Sequence, residues 1–145
     1  MRTTDYEFVR NRNDGLYYNW SEVTFPGNAG KCLTCHKPGT FGVPVPEGAL
    51  ATTDRTTTGD PDEDRAAIQG ARDSVPNDTD LVITPVSAAC YSCHDSSSAA
   101  THMELNGGAV KKPRADVAAL QMVESCSVCH GAGRTADVIS VHGTE

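Results

Sequence analysis

The sequence predicts a protein that is mainly coil, with a few short α-helices and little or no sheet, folded around something other than its own side chains. Leu, Ile, Val and Phe make up about 17% of the 145 residues, less than the roughly 20% below which a highly charged chain tends to stay unfolded. Pro and Gly break segments such as 25–48. All six cysteines lie in one repeated pattern: CLTCH at 32–36, CYSCH at 90–94 and CSVCH at 126–130.

Charge and hydropathy exclude several classes of protein. The formal net charge is −7, so phosphates would repel the chain and nucleic acid is not an expected partner. No apolar run approaches the roughly 18 residues of a membrane span. The first residues, MRTTDYEFVR, contain no apolar h-region and do not form a secretory signal.

The pattern C-x-x-C-H is the attachment signature of c-type haem. On a helical turn, residues i, i+3 and i+4 share one face, so two sulfurs form thioethers to one porphyrin while the adjacent imidazole reaches its iron. Three covalently bound haem c groups would replace the missing apolar core. The predicted cofactor-binding residues are Cys32, Cys35, His36, Cys90, Cys93, His94, Cys126, Cys129 and His130.

Two other uses of the cysteines fit less well. Zinc also binds C-x-x-C knuckles with a histidine, but it needs four ligands per site, and three Cys₂His triads do not divide cleanly into such sites. A disulfide scaffold is possible in an oxidising compartment, but it leaves the histidine after every second cysteine unexplained.

The five histidines predict the axial ligands of the irons. His36, His94 and His130 are the proximal ligands, and His102 and His142 are the predicted distal ligands. Three irons with two imidazoles each would need one more histidine, and spacing does not fix which iron each distal histidine serves. A methionine, Met103 or Met122, or a histidine of a neighbouring chain could complete the set.

The N-terminal half reads mostly as coil. Residues 1–20 form an extended lead-in that contains aromatic residues, and the first motif lies on a loop with at most a short helical turn. Residues 51–64 form an acidic connector. They lack the ligand order of an EF-hand, so a solvated loop is the preferred interpretation. A short helix is expected at 62–72.

The C-terminal half carries the stronger helix signals. Thr84 and Pro85 predict a helix start, and that helix would carry the second motif to about His94; VITPV at 82–86 is too short for a strand and contains Pro85. A second helix is expected at about 97–106, before Asn106-Gly107-Gly108. The longest helix is predicted at 114–130, and the chain then returns to His142.

These elements predict one module that spans residues 1–145. Its segments are the lead-in at 1–20, the first haem at 21–50, the connector at 51–80, the second haem at 81–108 and the third haem at 109–145.

From Ser21 to His142 the sequence resembles the C-terminal haem domain of the outer-membrane decahaem cytochromes of the OmcA/MtrC type. The matching pieces are SEVTFPG…CLTCHKPGT, ITPVSAACYSCHDSSSAATHMELNGG and ESCSVCHGAGRTADVISVH. The resemblance implies bis-histidine haems arranged for electron transfer. It also places His102 and His142 where such proteins carry distal ligands.

The same resemblance implies an exported protein, periplasmic or at the cell surface of a Gram-negative bacterium. Its partners would be metal oxides, soluble metals, flavins or other multihaem cytochromes, as in dissimilatory metal reduction. Self-association, or haem ligation by a neighbouring chain, is a further expectation. The alternative is a haem enzyme that uses an open sixth position on the haem ligated by His36.

The chain departs from the family in two respects. Members carry about ten haems, against three motifs here, and they have histidines upstream of the segment that matches 21–27, where this chain has none. The sequence is therefore expected to be a truncated chain, a natural short relative or a subunit of an assembly.

The haem interpretation predicts the mass of the purified protein. Thioethers survive denaturation, so intact mass spectrometry should show the polypeptide plus three haem groups. A mass equal to that of the amino acids alone would contradict the whole interpretation.

Overall fold

The computed structural model describes residues 7–10, 16–19, 31–55, 57–58, 60, 62, 64–72 and 76–142. These residues are mostly coil with short elements, as the sequence predicts. The strands are β1 (Glu7–Arg10), β2 (Leu16–Asn19), β3 (Thr52–Arg55), β4 (Leu81–Ile83) and β5 (Lys112–Pro113). The helices are α1 (Arg65–Arg72), α2 (Pro85–Tyr91), α3 (Ser97–Leu105), α4 (Arg114–Ala119), α5 (Ser127–His130) and α6 (Val138–Val141).

The expectation of little or no sheet is confirmed in part, because the described residues contain two small sheets. β4 is the central strand of a small antiparallel sheet, in the order β3-β4-β5, and β1 pairs with β2 in a separate hairpin. The VITPV segment does contain a strand, which ends at Ile83, just before Thr84 and Pro85 begin a helix. Val82 and Ile83 are buried, so burial between two partner strands stabilises a stretch that is too short to be predicted as a strand alone.

Polar contacts around the buried Asp80 link the strands of the sheet. Asp80 is fully buried, and its Oδ2 accepts a hydrogen bond from the backbone N–H of Asn77 at 3.1 Å. The guanidinium of Arg114, at the start of α4, donates to the Thr53 hydroxyl at 2.9 Å and lies 4.0 Å from Asp80. Arg114 thereby connects β3 with the residue that precedes β4, two segments that are distant in sequence.

Helix α2 starts where the sequence predicts, but a distant carboxylate caps it. Thr84 occupies the N-cap position without a side-chain capping bond, and its hydroxyl donates instead to Glu124 Oε1 at 2.7 Å. Glu124 accepts from the backbone N–H groups of Val86 at 2.8 Å and Ser87 at 2.7 Å, and from the Ser87 hydroxyl at 2.7 Å. One carboxylate therefore satisfies the otherwise orphaned donors at the helix start and ties α2 to the segment before the third motif.

Helix α3 confirms the prediction at about 97–106. The Ser96 hydroxyl accepts from the backbone N–H of Ala99 at the N-terminus. Gly107 follows with φ of 83°, in the left-handed region that favours glycine and ends helices. Met103 packs with Ile83 and Val110 in the buried cluster of the described residues, so α3 closes over the sheet.

The single helix predicted at 114–130 is wrong. α4 stops at Ala119, Gln121 adopts a positive φ of 46°, and α5 begins only at Ser127. The apolar stripe that suggested the helix is not buried, since Leu120 is 70% and Val123 is 80% exposed. The non-helical stretch places Glu124 at the start of α2, a contact that a continuous helix would not make.

The remaining expectations are confirmed in part. The first motif begins with a short 3₁₀ turn, Cys32–Thr34, on a loop. The helix expected at 62–72 is α1, which starts at Arg65. The extended lead-in at 1–20 lies partly outside the described residues, although 7–10 and 16–19 are extended.

In the part of the chain that the structure describes, no helix combines the length and apolar character needed to cross a bilayer.

The Glu124 contacts predict a stability effect. Replacement by Ala leaves two backbone N–H groups and two hydroxyls without their acceptor, so Glu124→Ala should lower the free energy of unfolding by about 2–4 kcal/mol. Denaturant unfolding followed by far-UV circular dichroism measures this. Glu47→Ala, which removes an exposed carboxylate, should change stability by less than about 0.5 kcal/mol. Equal losses in both variants would contradict the capping role.

Candidate functional site

The second and third motifs each fold into one helical turn. The backbone N–H of His94 donates to Cys90 O at 2.8 Å, and that of Cys93 donates to the same oxygen at 3.1 Å. In the third motif the N–H groups of His130 and Cys129 donate to Cys126 O at 2.8 and 3.3 Å. At both motifs the backbone therefore has the i, i+3, i+4 arrangement expected for two thioethers and one imidazole.

The first motif has a different local environment. His36 lies on a loop and is exposed, and Cys35 is exposed as well. The imidazole of His36 contacts the ring of Phe41, with ring centroids 6.2 Å apart and planes inclined by 61°.

The four histidines of the C-terminal half lie in two pairs. The ring centroids of His94 and His142 are 6.0 Å apart with an interplanar angle of 72°. Those of His102 and His130 are also 6.0 Å apart, with an angle of 83°. His102 therefore lies beside the third motif, although the second is nearer in sequence. His142 lies beside the second motif, although the third is nearer in sequence.

One imidazole in each pair is oriented by a backbone carbonyl. Nδ1 of His130 is 3.0 Å from Ala136 O, and Nδ1 of His142 is 2.8 Å from Val138 O. A carbonyl oxygen only accepts hydrogen bonds, so Nδ1 carries the proton, and in the neutral ring Nε2 keeps its lone pair. This hydrogen bond to the other ring nitrogen is typical of imidazoles that bind metals.

The first cysteines of the second and third motifs share one environment. Burial raises the pKa of the Cys90 thiol, and negative charge on Cys126, Glu124 and Cys93 raises it further. Burial and Glu124 likewise raise the pKa of Cys126. The two thiols and the Glu124 carboxylate therefore lie close together. Cys90, Cys126, Cys35 and Cys129 are not joined by disulfide bonds, so a disulfide scaffold gains no support among the described residues.

Large apolar side chains lie on the surface around these motifs. Within the second and third motif regions, Val128 is 67%, Val141 63% and Leu105 81% exposed, and in the first motif Leu33 is 52% exposed. The buried hydrophobic residues of the described chain are few: Val82, Ile83, Val86, Met103, Ala109 and Val110. Apolar surface arranged in this way around imidazoles suits an apolar group placed between them.

The donor geometry fits a metal held between two imidazoles. A metal–imidazole bond is about 2.0 Å long and the bonded nitrogen lies about 1.1 Å from its ring centre, so two imidazoles opposite each other have centres about 6.2 Å apart. Both pairs are close to this separation. Within the described residues no three His, Cys, Asp or Glu side chains converge to hold a metal ion.

The sequence predicts all five histidines as ligands, but it does not indicate which of them lie together. His102 precedes His130 by 28 positions and His142 follows His94 by 48 positions, so no local spacing signals either contact. The part played by Glu124 was missed as well, because a glutamate shortly before a C-x-x-C-H motif has no recognisable pattern.

A comparison with known protein families gives a match over most of the chain. The family of outer membrane cytochromes described as MtrC/MtrF-like, domains II/IV, matches residues 8–143. No curated protein and no solved structure matches the chain significantly.

Asp137 caps the start of α6, the helix that precedes His142, and its contacts predict that thermal stability depends on pH. The backbone N–H groups of Gly133 and Ile139 donate to Asp137 at 2.7 and 2.9 Å and hold its pKa below the ordinary value of 3.8. A depressed carboxyl pKa contributes stability above the unfolded-state value, and that contribution is lost as the pH falls through the folded-state value. The midpoint temperature of thermal unfolding should therefore decrease as the pH is lowered below about 4. In Asp137→Asn this decrease should be less steep. The matched exposed variant Asp116→Asn should follow the wild-type curve, and a wild-type slope in Asp137→Asn would contradict the assignment.

Proposed function

Because this chain belongs to the outer membrane cytochrome family described as MtrC/MtrF-like, domains II/IV, we propose that it transfers electrons through three covalently bound c-type haems. The family is one of outer membrane cytochromes, which supports electron transport by an exported, cell-surface protein. The number of haems rests on the three C-x-x-C-H motifs of the sequence. The proposed segments are residues 21–50, 81–108 and 109–145 for the three haems in order, with a lead-in at 1–20 and a connector at 51–80.

The two imidazole pairs carry the proposal. In this assignment His94 and His142 hold one iron and His130 and His102 hold another, since the ring centroids of each pair lie 6.0 Å apart, a distance that two imidazoles on one metal could adopt. Bound haem supplies the iron whose two oxidation states carry the electron. Cys90, Cys93, Cys126 and Cys129 tether the two porphyrins, and Cys32, Cys35 and His36 do the same for the first.

The protein orients these ligands before any electron moves. The carbonyls of Ala136 and Val138 accept the Nδ1 protons of His130 and His142, which fixes the ring planes and directs Nε2 away from the backbone. A fixed pair of neutral ligands changes little between oxidation states, so little structural rearrangement opposes electron transfer. The Glu124 contacts hold the second motif's helix against the segment that leads into the third motif.

The proposed setting is extracellular electron transfer. Metal oxides, soluble metals, flavins and other multihaem cytochromes are the proposed partners, in keeping with a protein at the outer membrane. In this role no side chain acts as an acid, base or nucleophile. In this role the porphyrins would cover the exposed apolar side chains near the motifs, such as Val128 and Val141.

Electron delivery can be counted directly. Protein that has been fully reduced with dithionite, desalted and mixed anaerobically with ferric citrate should transfer three electrons per chain, as measured from the Soret spectrum and from the ferrous iron formed. Delivery of fewer than three electrons by protein that carries three haems would contradict a conduit through all of them.

The pairing predicts the response to loss of one distal ligand. His142→Ala keeps Cys90 and Cys93, so the chain should still carry three haems, but the iron at His94 should change from low-spin to high-spin in the ferric state. Low-temperature electron paramagnetic resonance measures this change. Ser140→Ala, on the helix that precedes His142, removes only an exposed hydroxyl and should leave the spectrum unchanged. An unchanged spectrum in His142→Ala would overturn the pairing.

A further inference from the structure

Glu124 connects the second and third motifs in the fold. Its carboxylate accepts hydrogen bonds at the start of α2, the helix that leads into Cys90, and its backbone lies two residues before Cys126. We propose that the negative charge of Glu124 lowers the reduction potentials of the two haems attached at these motifs, in addition to capping α2. This inference rests on the proposed attachment of haem at both motifs.

Neutral donors hold the carboxylate of Glu124. Both of its oxygens accept hydrogen bonds of 2.7–2.8 Å, from the backbone N–H groups of Val86 and Ser87 and from the hydroxyls of Thr84 and Ser87. A carboxylate that only accepts hydrogen bonds has the pattern of the ionised form. Among the described residues, the ion pairs of lysine and arginine involve other carboxylates. The charge of Glu124 is therefore stabilised by hydrogen bonds without being neutralised by a cation.

The main chain around Glu124 is held in place as well. The backbone N–H and the hydroxyl of Ser125 donate to Asn106 O, at the end of α3, at 3.0 and 3.1 Å. A Cβ at Gly107 would collide with Val123 O, so this segment passes in direct contact with the turn after α3. The Glu124 side chain is half-buried, so water screens its charge only in part. The charge therefore acts from a defined position.

The charge of Glu124 reaches the first cysteine of both motifs. Burial raises the pKa of the Cys90 and Cys126 thiols, and the Glu124 carboxylate contributes to both increases. In the proposed haem protein these sulfurs form thioethers, so an edge of each porphyrin would lie near the same carboxylate. Ferric haem carries one more positive charge than ferrous haem, so a nearby negative charge stabilises the ferric form. Both reduction potentials should therefore be lower than they would be beside a neutral side chain.

Two substitutions separate the effect of the charge from that of the cap. Glu124→Gln keeps the length of the side chain but removes its charge, whereas Ser87→Ala removes one hydrogen bond to the carboxylate and keeps the charge. Both variants should unfold at lower denaturant concentration than the wild type. Only Glu124→Gln should raise the potentials, while Ser87→Ala should lower them, because the charge then has one donor fewer.

A potentiometric titration followed in the visible spectrum measures these shifts in protein shown by intact mass to carry three haems. In Glu124→Gln the equilibrium constant for reduction should rise about threefold to tenfold at two of the haems, which corresponds to about 30–60 mV for a one-electron couple. Electron paramagnetic resonance checks that these haems stay low-spin, so that a change of axial ligand does not cause the shift. The matched control Glu47→Gln removes an exposed carboxylate and should leave these two potentials unchanged.

Wild-type potentials in Glu124→Gln, with low-spin haems, would overturn the inference. A rise in both Glu124→Gln and Ser87→Ala would overturn it too, because the shift would then follow the loss of the cap. If Glu124→Gln does not fold, Ser87→Ala decides alone: lower potentials support the inference, and unchanged or higher potentials contradict it.

The inference and the proposed function fail in different ways. Protein that delivers three electrons, but whose potentials do not respond to Glu124→Gln, would leave the proposed function standing. A chain without haem would contradict both.

Discussion

Two contacts between imidazole rings join distant parts of the C-terminal half, where the buried aliphatic core is small. Each pair brings together segments that are far apart in sequence, with ring centroids 6.0 Å apart, a separation close to that of two imidazoles on one metal. Val128, Val141 and Leu105 are exposed, and under the proposed ligation a porphyrin beside them would bury this apolar surface. Under the proposed ligation, haem binding and folding are therefore one process, as in other small metal-dependent domains.

Glu124 supplies the second long-range constraint, and it is of a different kind. Its carboxylate caps α2, which leads into the second motif, yet its own backbone lies two residues before the third motif. The contact is short, charged and made to four donors, so it fixes direction as well as distance. It also places one negative charge near both Cys90 and Cys126, where the two porphyrin edges would be attached.

The parts that could be predicted from sequence are those decided by neighbouring residues. The pair Thr84 and Pro85 predicts the start of α2, and Asn106-Gly107-Gly108 predicts the end of α3. The C-x-x-C-H spacing predicts the helical turns of the second and third motifs. β4 was missed because Leu81–Ile83 is stabilised by two strands that are remote in sequence. The break between α4 and α5 was missed because the stripe from Val117 to Val123 has helical spacing, whereas Gln121 turns the chain and Glu124 is held elsewhere. The histidine pairs depend on tertiary placement, which no local pattern reports.

The two pairs are nested along the chain, since the span from His102 to His130 lies wholly within the span from His94 to His142. A polypeptide that is made and exported from its N-terminus presents these residues in order. Under the proposed ligation the inner iron can gain both imidazoles before the outer one does. The iron of the haem attached at Cys90 and Cys93 would therefore keep one axial ligand until His142 has been exported. The inner iron would be fully coordinated before the outer one.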